Sequence, residues 1–150
     1  AEMYLNGVNV EKSIRSLEVS NLVSKVSAIP EVRRKLVAIQ KEIGKNKAVV
    51  MDGRDIGTVV FTDAELKIFM TSSAETRAQR RFDELIQKGE KVSYKEVYTN
   101  VVERDRVDTT RKDSPLVKAE SAIEINNSEL SKEKQFEIIL KLVEEKLRDI

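Results

Sequence analysis

The segment spanning residues 48–61, AVVMDGRDIGTVVF, constrains the fold more than any other part of the chain. Ala48-Val49-Val50-Met51 is an uninterrupted apolar run, which predicts a strand covered on both faces, as in parallel sheets. The run ends in an acid, Asp52. A loop with Gly53 and Gly57 follows, carrying a guanidinium and a second carboxylate, Arg54 and Asp55. The β-branched pair Val59-Val60 closes it. Open α/β sheets place ligand sites on polar loops at the carboxyl edge of buried strands. A structural Arg–Asp pair in a tight turn is the alternative; the position at a strand edge favours a site.

The rest of the chain alternates between helical and extended patterns. Asn6-Gly7, between Met3-Tyr4-Leu5 and Val8-Asn9-Val10, predicts a type I′ hairpin. A folded element so close to Ala1 suggests further residues upstream. Ile14, Leu17, Leu22, Val23 and Val26 have roughly helical spacing within residues 10–28. Pro30 suits the first turn of a second helix, with Val32, Leu36, Val37, Ile39 and Ile43 on one face and Gly44 as its stop. After the 48–52 strand, Asp63-Ala64 reads as a turn and residues 66–70 as another strand. Ser72 or Ser73 caps a helix over residues 74–88, ended by Gly89. Ser93 and Glu96 form a capping box opening a helix that runs to about residue 108. Residues 109–115 are polar loop. Residues 122–126 give a short strand. Ser131 opens a last amphipathic helix striped by Phe136, Ile139, Leu140, Val143 and Leu147. Strands alternating with helices predict an α/β fold with a parallel sheet, of which three parallel strands are visible.

Composition excludes several kinds of chemistry. The chain has no histidine and no cysteine, which removes serine–histidine triads, thiolate or histidine metal sites and disulfides. Its net charge of +1 gives no overall pull on nucleic acid or membranes. No apolar run approaches the ~18 residues of a membrane span, and no signal-peptide pattern opens the chain. A cytoplasmic location is expected.

Two constellations carry charge in a pattern. Val97, Val101, Arg104, Asp108 and Arg111 fall at steps of three and four, so an apolar helix face turns into an Arg–Asp–Arg face. A solvated helix end with one ion pair is the plain reading. The functional reading is a face that leaves the core and leans over a ligand, where guanidinium forks suit phosphate and an aspartate suits a hydroxyl or amine. Arg77 and Arg81 share a helix face with Arg80 beside them, an arrangement that an anion would relieve. Glu84, within reach of Arg80 or Arg81, equally allows a charged surface helix. Ser24 and Arg33 flank Pro30 and would not be selected from spacing alone.

At these residues the sequence resembles bacterial cytidylate kinases. The resemblance rests on residues 49–61, on Lys67-Ile68-Phe69, on residues 77–81, on Glu103-Arg104-Asp105 with Asp108 and Arg111, and on Ser114-Pro115-Leu116. It runs in one order over nearly the whole chain. It implies a P-loop nucleoside monophosphate kinase-like α/β fold, a five-stranded parallel sheet with flanking helices, incomplete at the N-terminus. Residues 1–45 would be a CMP-binding insert. Residues 46–150 would be the core, with a helical lid at about 74–115. The implied reaction is transfer of the ATP γ-phosphate to CMP or dCMP with Mg²⁺, a step of pyrimidine nucleotide metabolism. Ser24, Arg33, Asp55 and Arg111 would surround the cytosine, Arg104 and Asp108 would reach the sugar and phosphate as catalytic groups, and Arg54 would contact the CMP phosphate. Asp52 would support Mg²⁺ through water. Arg77 and Arg81 would flank the ATP phosphates, with Arg80 a weaker candidate.

One departure bears on activity. The five glycines, at 7, 44, 53, 57 and 89, nowhere spell G-x-x-x-x-G-K-[ST], the backbone cradle and lysine for the ATP phosphates. The chain is therefore expected to be the C-terminal two-thirds of such a kinase, inactive alone and able to self-associate through open strand edges, whereas the complete protein would be a monomer. A non-catalytic nucleotide-binding fragment, and a nucleoside monophosphate kinase of different base preference, are the alternative functions.

Overall fold

A computed structural model describes residues 2–46 and 48–148, with the Ser24 side chain outside that description. The chain opens with a hairpin of β1 (Tyr4–Leu5) and β2 (Val8–Asn9), paired antiparallel. Asn6 and Gly7 both have positive φ, at 51° and 81°, as a type I′ turn requires. A turn of 3₁₀ helix at Ser13–Arg15 leads into α1 (Leu17–Ser27). Pro30 opens α2 (Pro30–Ile43) at its first position, and Gly44 is its C-cap. Gly44 has an ordinary φ of −84°; its lack of a side chain matters because a Cβ there would meet the Phe61 ring at 2.3 Å.

The parallel sheet in the described residues has two strands, β3 (Ile68–Thr71) and β4 (Ile123–Asn126), in register from Ile68 opposite Ile123 to Thr71 opposite Asn126. Between them lies a helical hairpin, α3 (Ala74–Gln87) and α4 (Tyr94–Thr110). Ser73 caps α3 by accepting from the Thr76 N–H. Gly89, at φ 79°, turns the chain. The Ser93–Glu96 capping box starts α4, with both reciprocal bonds made. Ala78, Leu85 and Val97 are fully buried where the two helices pack. Complete burial of Leu85 alone contributes about 1.5–3 kcal/mol. The chain closes with α5 (Lys132–Arg148), whose Phe136 and Leu147 stay exposed.

The expected strand over residues 48–52 does not form. The segment is irregular, Ala48 sits at φ 52°, Val49 is half-exposed and Val50 fully exposed. A parallel strand needs neighbours on its N–H and C=O edges, and no described strand pairs with this segment. Without a ladder, β-propensity and an apolar run do not hold extended structure. The β-branched pair Val59-Val60 that closes the loop belongs to one π-helical turn, Ile56–Val60. The Asp55 carbonyl accepts from the backbone N–H groups of Thr58, Val59 and Val60 at 3.3, 2.9 and 3.2 Å. That local gathering of donors overrides the β-branched side chains and buries Val60.

Candidate functional site

A cavity of about 230 Å³ opens where α1, α2, the loop before the π-turn and α4 converge. Val23 and Ser27 come from α1. Arg33, Leu36, Val37 and Gln40 come from α2, one face at steps of three, one and three. Gly53, Arg54 and Asp55 come from the loop, and Arg104, Asp108 and Arg111 from α4 and its C-cap. Six of the seven residues expected around CMP thus line one hollow. The seventh, Ser24, lies on α1, but its side chain is outside the described residues.

The charges interlock. Arg33 donates to the Asp55 carboxylate, both buried, and to the Ser27 carbonyl at 3.1 Å. Asp108, 4% exposed, serves two arginines: Oδ2 accepts from Arg54 Nε at 3.0 Å and Oδ1 from Arg111 Nη1 at 2.9 Å. Arg111 also donates through Nε to the Ser114 carbonyl at 2.8 Å. The Arg104–Asp108–Arg111 stripe is therefore enclosed rather than a solvated helix end.

Four guanidiniums against two carboxylates leave the cavity with an excess of two positive charges. Among the described residues, three buried donors have no partner: Arg33 Nε, Arg104 Nε and Arg111 Nη2. Burial, and then Arg54 beside it, lowers the Arg104 pKa below the ordinary arginine value; burial and then Arg33 do the same for Arg111. Arginine stays charged in proteins, so these shifts register chiefly the loss of hydration on burial, with the neighbouring guanidiniums second. Buried charge and orphan N–H groups are costly unless an acceptor fills the space. An anion rich in acceptor oxygens fits.

The remaining candidates stand apart from this hollow. Asp52 is exposed and does not line it. Arg77 holds Asp105 through two bonds, 2.9 and 2.5 Å, and donates to the Ser72 carbonyl. Arg81 donates to Glu84 at 2.8 Å and to the Arg15 carbonyl at 2.5 Å. Arg80 points away from both, onto the bend after β4. It donates to the Asn127 side chain and to the carbonyls of Asn127, Ser128 and Leu130 at 2.7–3.5 Å. No group of three ligating side chains that could hold a metal occurs among the described residues.

Leu36, Val37 and Gln40 were not among the residues expected at a site, the first two being read only as part of one apolar helix face. Their spacing from Arg33 was the available signal. Ser20, Asn21 and Asn100, which join α1 to α4, were not among them either.

A parallel strand pair with flanking helices is consistent with the nucleoside monophosphate kinase-like α/β class. Within that class, the family model described as cytidylate kinase matches residues 1–145. The chain belongs to the cytidylate kinase family. It is 71% identical over 143 residues to the cytidylate kinase of Flavobacterium johnsoniae, covering 95% of this chain and 62% of that protein. It is 56% identical over 137 residues to that of Bacteroides fragilis, covering 91% and 60%. With that of Cytophaga hutchinsonii it shares 46% over 149 residues, covering 99% and 64%. The chain thus spans a little over three-fifths of the length of these relatives.

Proposed function

We propose that the chain carries the CMP-binding part of a kinase that transfers the γ-phosphate of ATP to CMP or dCMP. The observation that supports this most is the cavity: an excess of two positive charges with three unpartnered buried N–H donors. A nucleoside monophosphate brings close to two negative charges at neutral pH and several acceptor oxygens. Arg33, Asp55 and Arg111, with Ser24, would border the cytosine, where an aspartate accepts from the exocyclic amine and guanidiniums meet the carbonyl edge. Arg54 and Arg104 would hold the phosphate, and Asp108 would keep Arg54 and Arg111 in place.

Phosphoryl transfer of this kind proceeds by positioning and charge stabilisation, with no covalent enzyme intermediate. A CMP phosphate oxygen forms the new bond to the γ-phosphorus as the bond to the ADP oxygen breaks. Fixing the acceptor phosphate between two guanidiniums limits its rotation and lowers its charge repulsion toward the incoming group. Arg77 and Arg81 would reach the ATP phosphates by exchanging Asp105 and Glu84 for them. Mg²⁺ takes one or two carboxylates from a protein and completes its shell with water and phosphate oxygens. The exposed Asp52 carboxylate fits that mode, and the ion, when bound, would neutralise phosphate charge. The loop that cradles the γ-phosphate is not spelled in these 150 residues, so turnover would draw on residues beyond them. We place residues 1–45 in the acceptor-binding part and residues 46–150 in the core, with the α3–α4 hairpin as the lid. No helix among the described residues is long and apolar enough to cross a membrane, which suits a cytoplasmic enzyme.

Titration calorimetry of the chain with CMP, UMP and AMP tests the reading. CMP should bind most tightly, and Arg111→Met or Asp55→Asn should erode that preference. Absence of CMP binding, or a base preference unmoved by either substitution, would refute it.

A further inference from the structure

We propose that Ser20 is a positioning residue for Arg104, a neutral hydroxyl that fixes the guanidinium without neutralising it. Ser20 lies on α1, outside the residues lining the cavity, and is 7% exposed. Its Oγ accepts from Arg104 Nη1 at 3.1 Å and donates to Asn100 Oδ1 at 3.0 Å. Asn100 Nδ2 in turn donates to Asn21 Oδ1 at 2.6 Å. A hydroxyl has one hydrogen and two lone pairs. Committing the hydrogen to Asn100 turns the lone pairs toward Arg104. The asparagine pair thereby sets the direction of the serine, and the serine sets the direction of the arginine.

The other three cavity arginines contrast with it. Arg33 is held by Asp55, and Arg54 and Arg111 by Asp108. Among the described residues, Arg104 has no carboxylate within ion-pair distance. Among those residues its guanidinium bonds to the Ser20 hydroxyl, while its Nε stays buried and unpartnered. A carboxylate in the place of Ser20 would fix the fork equally well but cancel the charge offered to an anion. The neutral acceptor keeps both orientation and charge.

This inference rests on the CMP reading for its functional consequence, and two readouts keep the two apart. The first needs no ligand: the Nε–Hε resonance of Arg104, assigned by nitrogen-edited NMR on the full chain. Wild type should show a resolved signal. Ser20→Ala, which favours helix and so does not threaten α1, should broaden or average it. Ser20→Thr, which keeps the hydroxyl, should restore it. The second readout is CMP affinity by calorimetry. Losing one hydrogen bond to a charged group should weaken binding about tenfold in Ser20→Ala, with Ser20→Thr within about twofold of wild type. Asn100→Ala should move both readouts the same way by a smaller amount. An Arg104 signal unchanged by Ser20→Ala overturns the inference, whatever CMP does. So does an altered signal with CMP affinity unchanged. Wild type failing to bind CMP refutes the proposed function instead, and the resonance alone then decides the role of Ser20.

Discussion

Removing the Asp108 carboxylate should be among the most damaging single changes to the cavity, and the structure supplies the magnitude. Its side chain is 6% exposed and accepts from two guanidiniums of unequal burial, Arg111 at 4% and Arg54 at 47% side-chain exposure. The half-exposed Arg54 loses at most about 1 kcal/mol when its partner goes. Arg111 cannot rehydrate, and stranding one member of a buried pair costs about 3–5 kcal/mol. Asp108→Ala should therefore destabilise the chain by at least about 3 kcal/mol. For a chain of 150 residues that is a fall in Tm of roughly 6–12 °C. Urea midpoints and calorimetric melts measure it. The decisive comparison is Asp108→Leu with Arg111→Met, which deletes both charges and keeps the volume. If stranded charge is the cause, the double variant should be more stable than Asp108→Ala, although it alters more atoms. A loss under about 1 kcal/mol for Asp108→Ala, or a double variant at the sum of its singles, would refute the reasoning.

Two further outcomes follow from local geometry. Gly44→Ala should cost about 1–3 kcal/mol through overpacking against the Phe61 ring, and the cost should shrink in a Phe61→Leu background, since φ is ordinary there; thermal melts of the four chains check this, and an undiminished penalty points to the backbone instead. The Ser93 hydroxyl, and then its backbone N–H, hold the Glu96 carboxyl below its ordinary value of 4.5. A depressed carboxyl stabilises fully above its unfolded pKa and loses that contribution as pH falls through its folded value. Ser93→Ala should thus flatten the loss of stability below about pH 4.5, read from urea midpoints between about pH 3 and 6, and curves parallel to wild type would count against it.

What the sequence made legible was chemistry that is local along the chain. Asn6-Gly7, Pro30 and the Ser93–Glu96 pair each determine backbone geometry within four residues, so turn and cap rules reach them. The Val97–Arg111 stripe was legible because helical period alone carries Arg104, Asp108 and Arg111 to one side. The 48–52 segment was misread because a strand is a property of its neighbours, and an apolar run says nothing about whether a partner is alongside. The π-turn was hidden because three amides converging on the Asp55 carbonyl leave no signature in residue type. The Arg33–Asp55 pair, and Ser20 beneath Arg104 on another helix, depend on how α1, α2 and α4 cross. Periodicity does not encode that crossing.

The Arg80 guanidinium has a mechanical consequence. Together with the Ser73 N–H, which donates to Ser128 Oγ at 3.1 Å, it rivets the first two turns of α3 to the bend after β4. A hairpin swinging from Ala74 would have to shear those attachments. One pivoting just past Arg80 would leave them intact, making Arg80 the fulcrum. The lever on α3 is then the seven residues to Gln87, roughly 10 Å at about 1.5 Å per residue. A short arm would turn a modest rotation into a small displacement of the far end of α3. Arg77, which precedes that point, clamps Asp105 of α4 through two bonds, so a swing of the hairpin would have to break that pair before Arg104 moved.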